Sequence, residues 1–438
     1  MPSYNFSRIA LAVIASVAVS SCTMQFKTPK LISEDNVSHS FEGIRQMSEA
    51  GEVDVVMVHG MCTHFKEWAF DSIQEMSAAL GTKDVQGIHE ISVDGSNATV
   101  FKRSISVGTH TVNLAAIVWT PIMYPLKEQL CYDQKDKSKM CKVRGETEPG
   151  FAPNRALVNK FGKDTMLDDC LADAMIYEGK SQQAIGEQMQ SAIIAAATPG
   201  DQYRPRAEVE RDAITRKKKL IIVAESLGSK VAFDAINQLA NSDNTKKCEV
   251  ARSTYLRTAR VFMAANQIPL LRLAEIDLNE KPPSEVKLSK KVPDDPCTRE
   301  NTSKSNGTKF GAPVEASSPV YPADPLSSLA MKFGPTISQI IETKKQEEKL
   351  LQMDHPSEKT LPKEPFLVAF TDPNDLLSYS LKGSMFKPVY PVLDALISVK
   401  YTYFWLFSNP YTIHTEYLQH KGVLNLITCG TETGCEKK

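Results

Sequence analysis

Three runs along the chain are apolar at nearly every position and stop at turn residues. They are Val53–Val58 before His59-Gly60, residues 220–224 before Glu225-Ser226-Leu227-Gly228, and residues 366–370 before Thr371-Asp372-Pro373. Short β-branched runs of this kind read as strands buried on both faces, as in a parallel sheet. A further strand is expected over 259–264, and segments near 91–93, 100–105 and 112–119 read as strands of a hairpin edge. Between them the period changes. Trp68, Phe70, Ile73, Met76 and Leu80 fall near helical spacing with Gly81 as cap, residues 154 to about 198 read as helical up to Pro199-Gly200, and Val231, Ala232, Ile236 and Leu239 place a helix directly after Ser226. Strands alternating with helices over this length imply an α/β fold, a mostly parallel sheet covered on both faces.

The remaining stretches are less regular. Residues 23–51 are polar and read as a tether. The stretch 281–318 is rich in Pro, Ser, Lys and Asp and reads as a loop, a helix is expected over 336–352, and the aromatic stretch 399–407 is expected to be the last strand, with His414 on the loop after it. The parts are then 1–21, an export signal; 22–51, the tether; 52–430, one large domain with an insertion at about 269–363; and 431–438, a tail.

At the N-terminus Arg8 precedes a nearly all-apolar run from Ile9 to Val19 and then Ser20-Ser21-Cys22. The run is shorter than the roughly 20 residues needed to span a bilayer, so it reads as a removable signal. Small residues directly before Cys22 resemble the lipobox at which bacterial lipoproteins are cut and diacylated. That resemblance implies a lipid anchor on Cys22, and Thr23 in the next place points to the outer membrane, facing the periplasm. Eight of the nine cysteines remain, in a compartment where disulfides persist. Cys131 with Cys141, Cys429 with Cys435, and Cys248 with Cys297 are the expected local pairs, leaving Cys62 and Cys170. No cysteines stand at zinc-ligand spacing, so no metal is expected. With 51 basic and 52 acidic residues the formal charge is -1, which argues against nucleic acid as a partner.

The chemistry centres on Ala224-Glu225-Ser226-Leu227-Gly228, a serine flanked two residues away by small side chains at a strand-to-helix junction. A turn that sharp tolerates only small neighbours and exposes the serine at a helix N-terminus, where the dipole favours negative charge. The motif resembles the nucleophile elbow of the α/β-hydrolase family, with Ala224 in place of the usual first glycine. Three further matches occur in the family's order. His59-Gly60 at the end of an early strand resembles the family's His-Gly, implying oxyanion amides at Met61, or nearby Cys62, and at Leu227, with His59 itself structural. The strand over 366–370 delivers Asp372 and Asp375, of which Asp375 is favoured as the acid, because it lies several residues past the strand and precedes Leu376-Leu377. His414 resembles the closing histidine, with His420 as competitor at a solvated helix end. The resemblance runs from about Val53 to Gly430 but rests on four short motifs, with Ala224 and the insertion as departures.

It implies an α/β-hydrolase fold and a serine hydrolase of acyl esters, lipid or phospholipid included, working through Ser226, His414 and Asp375 without cofactor. Two other readings are a hydrolase-like scaffold that only binds a partner, and a Ser226–Lys230 pair in which the lysine one helical turn on is the base.

Overall fold

The computed structural model describes residues 26–33, 40–82, 87–134, 138–142, 154–275, 297, 329, 332–333, 366–381, 391–400 and 409–431. Cys22, the signal, the expected helix over 336–352, nearly all of the insertion, and positions 401–407 of the expected last strand lie outside them.

Among the described residues nine strands form one mixed sheet: β1 (Lys30–Ser33), β2 (Val53–Val58), β3 (His89–Ser92), β4 (Thr99–Val107), β5 (His110–Val118), β6 (Lys219–Glu225), β7 (Thr258–Ala264), β8 (Phe366–Thr371) and β9 (Val392–Leu396). Their order is β1-β9-β8-β7-β6-β2-β5-β4-β3. The strands from β5 through β2, β6, β7 and β8 to β9 pair in parallel. The hairpins β3-β4-β5 form one antiparallel edge and β1 the other. From central β2 the chain crosses to the edge strand β3, steps back inward through β4 to β5 beside β2, and then passes to β6 on the other side of β2. The carboxyl ends of β2 and β6 therefore flank a topological switch point, where open α/β sheets place their sites.

The apolar runs divide their side chains by the strand period of two. Val56 and Val58 of β2, with Leu220, Ile222 and Ala224 of β6, face one core cluster; Val53, Val55 and Met57, with Ile221 and Val223, face the other. Helices Gln182–Ala196, Leu227–Ala240 and Thr245–Arg257 cover the first face, and Ile44–Glu49, Lys66–Ala79 and Lys421–Cys429 the second.

The polar tether is shorter than the sequence suggested. β1 pairs with β9, and Phe41, Ile44 and Met47 are buried on the sheet. A few apolar residues spaced by three, inside a polar stretch, are enough to seat one short helix. Two disulfides follow the expected local pairing, Cys131–Cys141 and Cys248–Cys297, and the leftover pair is joined as Cys62–Cys170. Cys429 is disulfide-bonded as well; its expected partner Cys435 lies outside the described residues. No helix among the described residues is long and apolar enough to cross a membrane.

Candidate active site

Ser226 stands between β6 and helix Leu227–Ala240 with φ 51° and ψ -129°, a left-handed conformation that a side-chain-bearing residue adopts at a cost of about 1–3 kcal/mol. Its N–H donates to the Ala264 carbonyl (2.7 Å), which fixes the turn against β7. Both neighbouring glycines are needed by close approach. A Cβ on Gly228 would stand 2.2 Å from the His59 carbonyl oxygen, and one on Gly60 2.7 Å from the Ser226 Cβ. Ala224, at the place where the resemblance expected glycine, lies inside β6 opposite Val58. A methyl group is tolerated there because no tight turn is required.

Three of the sequence-predicted residues meet at this point. Ser226 Oγ is 2.8 Å from His414 Nε2, and His414 Nδ1 is 3.0 Å from each Asp375 oxygen. All three are buried. A carboxylate on Nδ1 places the ring's proton there, which leaves Nε2 as an acceptor for the serine hydroxyl. His414 sits in the short helix Pro410–Thr415, whose N-terminus is capped by Asn409, rather than on the expected loop. A side chain on a capped turn is held more firmly than one on an open loop.

The two candidate acids separate cleanly. Asp372 accepts from Asn374 N–H (2.8 Å) and Val399 N–H (2.7 Å), so it staples its own turn to the chain after β9. Asp375 accepts from Leu377 N–H (3.0 Å) and from the Tyr417 hydroxyl (3.1 Å) besides His414. Tyr417 in turn accepts from the Asp372 N–H (2.7 Å) and ties the two acids' positions together. The competitor His420 caps the last helix through Gly422 N–H (3.2 Å) and stays apart from the serine. Lys230 forms ion pairs with Asp234, Glu178 and Glu275. These carboxylates hold its ammonium well above the usual range against the opposing effect of burial, so it is not a neutral base for Ser226.

No family model, curated protein or solved structure matches this chain.

His59 is a structural residue of the loop it opens. Burial lowers its pKa well below the ordinary value. The neutral ring donates from Nδ1 to the Gly60 carbonyl (2.7 Å) and accepts at Nε2 from Trp119 N–H (3.0 Å), while the Trp119 indole donates to the His59 carbonyl (2.8 Å). The following residues Met61 and Cys62 are buried. Leu227 is the first residue of its helix, so its N–H has no intrahelical acceptor. Neither it nor the Met61 N–H donates to another group among the described residues.

Beneath this loop lies an anchorage that the sequence did not reveal. Cys62 is bonded to Cys170. Thr63 N–H donates to Asp169 (2.9 Å), and buried Lys127 bridges Asp169 and Asp173, each at 2.8 Å. Burial raises the Asp173 carboxyl to about 7 even beside Lys127.

Gln267 is the second residue missed. It is 1% exposed, its Nε2 is 3.3 Å from His414 Nε2 and donates to Met61 Sδ (3.4 Å), and its Oε1 is buried with no partner among the described residues. The only non-glycine residues with positive φ among the described residues are Cys62 (76°), Ser226 (51°) and Ala265 (52°). They follow β2, β6 and β7, neighbouring strands, so backbone strain concentrates at one place. A lone glutamine after a strand carries no signal that a single sequence can expose.

Proposed function

We propose that the chain is a serine hydrolase of acyl esters on an α/β-hydrolase fold, carried to a bacterial membrane, the outer one facing the periplasm, by a lipid on Cys22. The observation that carries this reading is the hydrogen-bonded chain Ser226–His414–Asp375, with its serine on a strained strand-to-helix turn. Backbone strain of this kind costs stability and clusters at active sites.

The steps follow from the roles. His414 Nε2 takes the Ser226 hydroxyl proton as Oγ attacks the acyl carbon, and Asp375 orients the ring and stabilises the imidazolium. The N–H groups of Met61 and Leu227 are the proposed donors to the oxyanion, aided by the helix dipole behind Leu227. His414 then gives its proton to the leaving alcohol. A water attacks the acyl-enzyme, passes its proton to His414, and the acid leaves as Ser226 recovers its hydrogen. No step calls on a cofactor.

The test is turnover of 4-nitrophenyl esters of increasing chain length. Wild type is expected to hydrolyse them with a chain-length preference, and Ser226→Ala and His414→Ala to lose roughly 10³-fold or more. Equal rates in wild type and Ser226→Ala would remove the proposal and favour a binding protein on a hydrolase-like scaffold.

A further inference from the structure

The helical run that anchors the loop after β2 buries Cys170, Ala174 and Tyr177 in the core, and with them four carboxylates, while large apolar side chains stay exposed. It comprises Leu157–Lys160, a wide π segment Phe161–Leu171, and Ala172–Tyr177. Asp164, Asp168, Asp169 and Asp173 are buried. They meet Arg155, Gln134, Thr63 and Lys127 respectively, with Lys127 also on Asp169. The opposite face carries Leu167, Leu171 and Met175 at intervals of four, 52%, 38% and 71% exposed. At its first turn Leu157 and Val158 are 82% and 79% exposed, and Phe161 packs edge-on against Tyr411 (6.3 Å between centroids) while still 40% exposed. A surface helix in water turns its charges outward, so four buried carboxylates with leucines and a methionine left outside depart from the usual pattern. Exposed leucines gathered on one element mark a surface that meets something apolar.

Position along the fold says what that is. Cys170 and Asp169 hold this helix to Cys62 and Thr63, just past the carboxyl end of β2. Tyr411 belongs to the helix of His414, so the apolar face adjoins the triad. Phe26 exchanges hydrogen bonds with Ser398, just past the carboxyl end of β9 (3.0 and 3.1 Å). β2 and β9 run parallel through β6, β7 and β8, so both features lie along the same edge of the sheet. Cys22 lies four positions before Phe26, a span of at most about 14 Å when fully extended.

We propose that this helix face lies on a phospholipid bilayer, the one holding the acylated Cys22, with the carboxyl edge of the sheet and its triad turned toward the lipid. The proposal rests on the lipoprotein part of the function above and adds an orientation and a substrate phase to it. An ester embedded in or leaving that leaflet would reach Ser226 without crossing open solvent. The attraction is apolar, so it persists at high ionic strength.

The test is flotation with vesicles of phosphatidylethanolamine and phosphatidylglycerol, using the mature chain with Cys22→Ser, which carries no acyl group. Wild type is expected to float at both low and high salt. The triple variant Leu167→Ser, Leu171→Ser, Met175→Ser is expected to lose at least about tenfold of the bound fraction, and Leu157→Ser with Val158→Ser to lose a smaller part. The substituted side chains are exposed, so the melting temperature and the fluorophosphonate labelling rate in solution should stay at the wild-type values. Absence of flotation by wild type, or undiminished flotation by the triple variant, would overturn the docking. So would a wild-type dimer that the triple variant dissolves, since a second copy would then cover the face. Flotation without labelling would instead sink the hydrolase reading and leave the docking in place.

Discussion

At the residue scale, two aspartates three positions apart do different work. Asp375 holds His414 and Asp372 holds a turn. Asp375→Asn should slow fluorophosphonate labelling roughly 10³- to 10⁴-fold with little change in stability, whereas Asp372→Ala should cost about 1–3 kcal/mol in denaturant unfolding and label at a nearly normal rate. Gln267→Met keeps the volume and removes the amide beside His414. It should lower ester turnover about tenfold, the worth of one hydrogen bond, with folding unchanged. Glu225 carries a pH signature. Burial pushes its carboxyl from 4.5 up to about 8, with Trp68 and the Leu418 amide as partial compensation among the described residues. The folded state therefore prefers it protonated. The stability that this contributes is complete below about pH 4.5 and is lost as pH rises through about 8. Chemical unfolding between those limits should show Glu225→Gln weakening less steeply with pH than wild type, with Asp173, raised to about 7, keeping a residual slope in both. A parallel slope in both proteins would place the titration elsewhere.

At the element scale, the junction of β2 with β6 is the part of the site that tolerates least change. Gly228→Ala would drive a Cβ into the His59 carbonyl. Overpacking of this kind costs about 1–3 kcal/mol, and a displacement near 1 Å at reacting groups costs about 10²-fold, so labelling should fall more than the melting temperature suggests. The loop after β2, the proposed source of one oxyanion donor, is tied to the helix below it through Cys62–Cys170. Replacing both cysteines by alanine should slow labelling by up to roughly 10²-fold, while secondary structure measured by circular dichroism stays intact. What the sequence exposed at this scale were the elements whose pattern is uniform. β2, β6, β7 and β8 each hold at least four consecutive apolar residues, and the helix after Ser226 follows from its spacing. β9 escaped because Asp394 interrupts its apolar run; the structure satisfies that carboxylate inside the sheet through Ser380 Oγ (2.8 Å) and Leu381 N–H (3.0 Å). Helices Arg206–Thr215 and Thr245–Arg257 escaped because most of their positions are charged or polar and their apolar contacts are few.

At the scale of the whole molecule, an α/β sheet with helices on both faces was legible from the alternation of periods, and so was the chain order of serine, acid and histidine. Their convergence was expected only through the resemblance, since each lies after a different strand and it is the parallel register from β6 through β7 and β8 to β9 that aligns the ends of those strands. The same register explains why the site survives a long insertion between β7 and β8: residues added beyond the strand ends leave the pairing untouched. The leftover cysteines could not be paired from sequence because Cys62 and Cys170 are 108 residues apart and meet only once the oxyanion loop is folded. The most direct measurement is mass spectrometric mapping of fluorophosphonate adducts on the intact wild-type protein. A single adduct on Ser226, lost in Ser226→Ala and slowed in Asp375→Asn but not in Asp372→Asn, is the predicted result. No adduct on the folded protein, or an adduct on another residue, would contradict it.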